Sequence, residues 1–242
     1  MTVRLPALLT TPIGFAHRGA RADAQENTIE AFSLALQKGA TGLESDVWLT
    51  DDGEAVLDHD GMVGRRPRRR AIRACRRSEL PSHVPTLDEL YAECGTGMEL
   101  SLDVKDADAF QRVVAVARAA GGGAPERLWL CHPDWETVAG WRGAAPDVRL
   151  VDSTRLHRMK HGPERRAALL SKSGIDAVNL HHSDWTGGLT TMFHRFGVFA
   201  LAWDAQQPRV LDELLDLGID GVYSDHVGRM TAALERAYPM RD

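Results

Sequence analysis

The stretch Ile13–Thr50, IGFAHRGARADAQENTIEAFSLALQKGATGLESDVWLT, decides how this chain folds. It opens on IGFAHRG, a short apolar run of strand length. NTIEAFSLALQKG follows, in which Ile29, Phe32, Ala35 and Leu36 recur at the spacing of one helix face. Gly39 stops that helix, and Asn27 with Glu30 three residues on has the outline of a capping box at its start. GLESDVWLT then returns to strand. Strand, helix and strand in this order make a βαβ unit, which requires the two strands to lie parallel.

The same rhythm runs outward to the end of the chain. TLDELYAEC completes the second pair, and MELSLDVK precedes DADAFQRVVAVARAAGGG. RLWLCHP leads to DWETVAGWRGAAP, VRLVDST to PERRAALLSKSG, and DAVNLHH to GLTTMFHRFG. VFALAWD leads to QPRVLDELLDLG, and DGVYSDHVG to RMTAALERAYP. Eight strand–helix pairs in 242 residues predict an α/β fold, a (β/α)8 TIM barrel built from residues 1–242 as one domain. An open doubly wound sheet is the competing architecture, but no G-x-G-x-x-G follows any strand.

One segment breaks the rhythm. GMVGRRPRRRAIRACRRSELPSHVP, residues 61–85, carries eight arginines from Arg65 to Arg77 in a chain whose net charge is −5. It reads as a small insertion or long loop after the second strand, on the upper rim of the barrel. A solvated loop is the first expectation for such a run, and attraction of an anionic substrate the second. No aromatic residue lies between Arg65 and Arg77, so a base-stacking platform is not expected, nor is a nucleic-acid partner.

No apolar run approaches the ~18–20 residues of a membrane span. The N-terminal apolar patch, broken at Pro6, is too short for a secretory signal and reads as a lead-in to the first strand. Cys75, Cys94 and Cys131 have no metal-binding spacing and suit a reducing compartment, so a cytoplasmic location is expected.

In a barrel of this kind the chemistry sits at the C-terminal ends of the strands. Those ends carry His17 and Arg18, Glu44 and Asp46, and Asp103 and Lys105. Further round come His132, Asp152, His181, Trp203 and Asp225. Glu44 and Asp46 stand two apart on a strand and so share a face, and Asp103 repeats that placement on the next strand. Two like charges 4 Å apart repel by about 4 kcal/mol at an effective dielectric near 20. A divalent cation resolves the conflict, and an all-oxygen set selects Mg²⁺ or Ca²⁺. His17, and His59 in VLDHD, suit general acid–base work beside such an ion, while Arg18 and Lys105 add fixed positive charge. Together these groups fit cleavage of a phosphodiester.

HRGA, QENT, ESDVWLTDDG and VLDHDG, in this order and spacing, resemble the glycerophosphodiester phosphodiesterase family, with PTLDEL, LDVK, LAWD and GIDGVYSD in the later places. The resemblance implies a (β/α)8 barrel that uses one divalent cation to hydrolyse glycerophosphodiesters to glycerol phosphate and an alcohol. It implies His17 and His59 as the acid–base pair, and Glu44 and Asp46 as metal ligands, with Asp103 at the third ligand position. Arg18 and Lys105 would line the phosphate site and Trp203 the pocket wall. Asp103 replaces the family's usual Glu in an E-x-K strand, Gln25 replaces the Pro of PENT, and Asp204 follows Trp203 where Thr is usual. Two other functions fit much of the pattern: a lysophospholipase-D-type enzyme acting on lysolipids, and a non-catalytic barrel that binds phosphodiesters.

Overall fold

The computed structural model describes residues 4–65 and 67–239; Arg66 of the arginine run lies outside them, as do residues 1–3 and 240–242. In chain order the elements are β1 (Ile13–His17), α1 (Ile29–Gln37), β2 (Gly42–Leu49), β3 (Ala55–Leu57), β4 (Met62–Val63) and β5 (Arg70–Ala71). Then come α2 (Leu87–Cys94), β6 (Glu99–Val104), α3 (Ala109–Ala120), β7 (Leu128–His132), α4 (Trp135–Trp141), β8 (Arg149–Ser153) and α5 (Pro163–Lys172). The chain finishes with β9 (Ala177–His181), α6 (Gly187–Arg195), β10 (Phe199–Trp203), α7 (Pro208–Asp216), β11 (Gly221–Ser224) and α8 (Val227–Ala237).

Eight of these strands pair in parallel in the order β1-β2-β6-β7-β8-β9-β10-β11, and β11 returns to β1 to close the barrel. The expected (β/α)8 architecture is therefore present. Strand alternation sorts the side chains into two layers. On β6, Leu100, Leu102 and Val104 pack under the helices, whereas Ser101 turns inward and meets the Tyr223 hydroxyl at 3.0 Å. The barrel interior is filled by Phe15, Trp129, Val151, Leu201 and Tyr223, so it is a packed core and not a pore. Phe15 and Tyr223 stack there with ring centroids 4.6 Å apart. Truncating the fully buried Phe15 to Ala would cost about 3–5 kcal/mol, from lost burial plus the cavity left behind.

The helix starts show local sequence logic with one correction. Thr86 and Glu89 form a reciprocal capping box at the start of α2. At α1 the cap is Thr28 and not Asn27: the Thr28 hydroxyl accepts from the Ala31 N–H at 3.2 Å. Asn27 instead adopts a left-handed φ of 53°, and its Oδ1 accepts from Ser45 Oγ at 2.7 Å. The tertiary bond to β2 therefore outcompetes the local cap.

The segment 61–85 does leave the barrel after β2, but it is not a bare loop. β3 folds back antiparallel onto β2, and β4 and β5 form a separate two-stranded ribbon. Val56, Ile72, Cys75, Leu80 and Val84 make a small core of their own beneath it. Several arginines are engaged: Arg69 with Asp60, Arg70 with Glu79 and Arg77 with Glu89.

The N-terminal end of the barrel is closed by its own lead-in. Asp220, wholly buried just before β11, accepts from the Leu8 and Leu9 N–H groups at 2.7 and 2.9 Å. It also accepts from the Ala200 N–H and contacts His194 Nε2, both at 2.8 Å. No helix among the described residues is long and apolar enough to cross a membrane.

Candidate active site

The C-terminal strand ends surround a cavity of about 460 Å³. β1 delivers His17 and, in the turn beyond it, Arg18 with φ 54° and Gly19 with φ 78°. A Cβ on Gly19 would stand 2.7 Å from the Ala31 backbone, so only glycine lets this turn pack on α1 and hold Arg18 at the mouth. Parallel register sets His17 opposite Glu44 and Asp46 opposite Asp103.

His17 is held from both sides. Its Nδ1 lies 2.6 Å from Asp225 Oδ1, and its Nε2 lies 3.8 Å from Glu44 Oε2. Burial lowers the imidazole pKa, but the carboxylates of Glu44 and Asp225 outweigh it and hold the group above its usual value. Asp225 is itself kept below the usual carboxylate range: burial opposes this, and contact with His17 and the charge of Arg21 prevail. An ionised Asp225 accepting from Nδ1–H leaves Nε2 free to take a proton.

Glu44 is almost fully buried and accepts from the Arg18 N–H at 3.0 Å. Desolvation, followed by the nearby charges of Asp46 and Asp103, pushes its carboxyl up to about 7, with His17 pulling the other way. Asp46, 2% exposed, meets Lys105 Nζ at 2.9 Å through Oδ1. Its Oδ2 stands 3.4 Å from Arg18 Nε, and neither of those two buried atoms has a hydrogen bond. Lys105 Nζ also meets Asp103 Oδ2 at 2.6 Å, so it bridges the two acids. Burial opposes the Lys105 charge, but Asp103 and Asp46 prevail and hold its pKa above the usual value.

Arg18, Glu44 and Asp103 line the main cavity with His17, and Trp203 stands on another wall. The Arg155 guanidinium lies over the Trp203 ring, 5.6 Å from its centroid. His59 is elsewhere. It lines a smaller cavity of about 190 Å³ with Glu26, Asn27 and His83, and its Nδ1 is 3.0 Å from Asp60 Oδ1. The two cavities adjoin at the ion pair between Arg18, which lines the first, and Glu26, which lines the second, at 3.1 Å.

Other strand-end residues divide by face. Asp152 turns outward, is wholly buried and pairs with Arg166 of α5 at 2.9 Å, so it belongs to the packing of the helical layer. His132 Nδ1 accepts from the Asp134 N–H at 3.1 Å, a rim contact. His181, His182 and Asp204 gather on one side of the mouth, with a potential ligand atom of each within 4.8 Å of the others. Among the described residues that trio, and not Glu44, Asp46 and Asp103, meets this distance.

The acidic set nonetheless fits a hard dication by its chemistry. It offers carboxylate oxygens alone, one of them buried without a hydrogen bond, and its Glu44 is pushed up to about 7 by burial first and then by the charges of Asp46 and Asp103. Two features are not legible in the sequence without the fold. Asp225 pairs with His17 because barrel closure sets β11 beside β1, and Glu26 pairs with Arg18 because the turn after β1 folds back. The YSD at the end of the last strand is the only local signal of the first.

Comparisons with known proteins bear on the family and the barrel. The family described as "Glycerophosphoryl diester phosphodiesterase family" matches residues 17–229. Glycerophosphodiester phosphodiesterase 1 of Homo sapiens is 37% identical over 108 residues, covering 37% of this chain and 33% of that protein. The chain thus spans about a third of the length of that relative. A glycerophosphoryl diester phosphodiesterase structure from Silicibacter pomeroyi superposes with a TM-score of 0.83 at 22% identity, covering 96% of this chain and 95% of that one. An Oleispira antarctica phosphodiesterase, solved in complex with the product sn-glycerol-3-phosphate, superposes at 0.80 with 22% identity, covering 93% of this chain and 97% of that one. At such identity the two structures speak for the barrel alone. With nearly the whole length matched, from His17 to beyond the last strand, the chain belongs to the glycerophosphoryl diester phosphodiesterase family.

Proposed function

We propose that this protein hydrolyses glycerophosphodiesters to glycerol phosphate and an alcohol. The observation that carries the proposal is the His17–Asp225 pair set against Glu44 in a cavity edged by Arg18. Asp225 orients the His17 ring and supports its positive charge, so Nε2 is the proton-accepting atom toward the attacking oxygen. Arg18 and Lys105 bind and orient the phosphate. His59, half-exposed and tied at Nδ1 to Asp60, serves as the second proton carrier, reaching the leaving oxygen from the adjoining cavity. Glu44, Asp46 and Asp103 would hold Mg²⁺ or Ca²⁺, which when bound offsets charge on the phosphoryl oxygens.

The mouth favours a small polar alcohol over an acyl chain. Arg155, Arg158, Asp204 and Gln206 line it beside Trp203, and the volume suits a compact ligand. Residues 1–242 act as one catalytic domain, with 61–85 as an elaboration of its rim. Three free thiols accord with work in a reducing compartment such as the cytoplasm.

The test is product release from glycerophosphocholine and glycerophosphoethanolamine in Mg²⁺ or Ca²⁺. Glycerol 3-phosphate should form and EDTA should stop it. Failure to release a phosphomonoester from any diester, with either ion, would refute the assignment.

A further inference from the structure

The mouth carries a second group of metal-binding side chains, which the proposed reaction does not use. β9 ends at His181, and His182 opens the short 3-10 turn that follows. β10 ends at Trp203, and Asp204 comes next. The two strands pair in parallel with His181 opposite Trp203, so neighbouring strand ends bring all three groups to one part of the rim. In the closed order, three strands separate β9 from β2 in either direction, which puts this group across the barrel from Glu44 and Asp46.

The local geometry suits a small ion. A ring nitrogen of each histidine and a carboxylate oxygen of Asp204 lie within 4.8 Å of one another. His181 Nε2 and Asp204 Oδ2 are 3.2 Å apart. Ligands at ~2.0–2.1 Å around a tetrahedral ion are separated by about 3.4 Å, so this pair is already spaced for one, with a His182 nitrogen within 4.8 Å of both. The side chains are also supported from behind. The Ser183 N–H donates to His181 Nδ1 at 3.2 Å and Ser183 Oγ stands 2.7 Å from the same nitrogen, which fixes the ring with Nε2 toward Asp204. The His181 ring stands edge-on to Trp203, centroids 4.6 Å apart, and Gln206 Nε2 donates to Asp204 Oδ1 at 3.3 Å.

We propose that His181, His182 and Asp204 form a second divalent-metal site, selective for a borderline ion of the Zn²⁺ type and separate from the acidic set. Two imidazoles and one carboxylate suit Zn²⁺, whereas Mg²⁺ and Ca²⁺ prefer oxygen ligands. Three protein ligands leave a fourth position for water or a ligand atom. Asp204 lines the main cavity, so the ion would stand where substrate enters. The plainer account is a hydrogen bond from His181 to Asp204 with His182 as a bystander, and it predicts no zinc binding.

Calorimetric titration of ZnCl₂ into the full chain held in excess Mg²⁺ separates the two. One equivalent should bind with micromolar or tighter affinity. His182→Ala and Asp204→Asn should each weaken it at least about tenfold, since loss of even an outer partner of a metal site costs about 10–100-fold. Glu44→Gln should leave it unchanged. Co²⁺ absorption of the unmodified protein needs no variant: intense tetrahedral-type bands that persist in excess Mg²⁺ support the site. No zinc uptake in Mg²⁺, uptake that His182→Ala leaves intact, or weak octahedral-type bands that Mg²⁺ removes would each overturn it.

Discussion

The two ends of this barrel bury carboxylates to similar depth and treat them in opposite ways. At the N-terminal end, Asp220 receives three backbone N–H groups and a histidine. Asp176, just before β9 and only partly buried, is likewise surrounded by Arg142, Arg149 and the Leu150 N–H. At the C-terminal end, Asp46 keeps a buried oxygen without a hydrogen bond, and Glu44 is driven up to about 7. Buried polar groups are normally satisfied, so an unsatisfied oxygen on an inward-facing acid points to a ligand, whereas Asp152 Oδ1, also unsatisfied, faces outward beside Arg166. Depth of burial therefore does not separate function from stability here; completeness of bonding on the inward face does.

Four measurements test that contrast. The largest effect is expected at the reactive end: His17→Ala should lower kcat on a glycerophosphodiester by about 10²–10⁴-fold. A thermal melt of the same variant should stay within a few degrees of the parent. A collapsed melting temperature with an unchanged rate per folded molecule would erase the distinction between the ends.

Asp220→Ala is the mirror experiment. It strands several buried donors and should cost about 3–5 kcal/mol in urea denaturation, while kcat of the folded fraction holds. Asp225→Asn comes next, with kcat reduced roughly 10–100-fold by loss of the oriented, charge-supported imidazole; such supporting groups typically matter on this scale. Because Asp225 raises the His17 pKa, its neutral replacement lowers it. A base must be unprotonated, so the rising limb of kcat/KM against pH should move to lower pH.

The smallest effect concerns Glu44. Its pKa is raised from the usual 4.5 to about 7, so the folded, metal-free protein binds a proton there that the unfolded chain releases. The contribution of Glu44 to the stability of that form should be fully present below pH 4.5 and be lost as pH rises through about 7. A cation must displace the same proton, so Mg²⁺ affinity should weaken by up to about tenfold per pH unit below 7. Calorimetry at pH 6 and 8 reads this directly, and an affinity indifferent to pH would show that Glu44 is not a ligand.

Much of this was legible in the chain. The eight alternating pairs give the barrel because each is a hydrophobic pattern of local period, which needs no knowledge of its partners. The spacing of Glu44 and Asp46, and of Asp103 and Lys105, likewise follows from the two-residue repeat of a strand. Asn27 as a cap failed because Ser45, distant in sequence, binds its side chain. The strand-end positions of His17 and His59 are legible, but not that they line adjoining cavities on either side of the Arg18–Glu26 pair, which the turn after β3 sets. The arginine-rich segment hid a small apolar core, since Ile72, Cys75 and Leu80 are too widely spaced to register as a pattern among charges.

The sequence alone determined which residues form strands and helices and which side chains share a strand face, because those depend on neighbours two to four positions away. Only the tertiary structure decided that Asp225 serves His17, that Lys105 bridges two acids, and that His181, His182 and Asp204 meet. These contacts depend on closing a ring of eight strands and on the register between them, and no local stretch of chain carries that information.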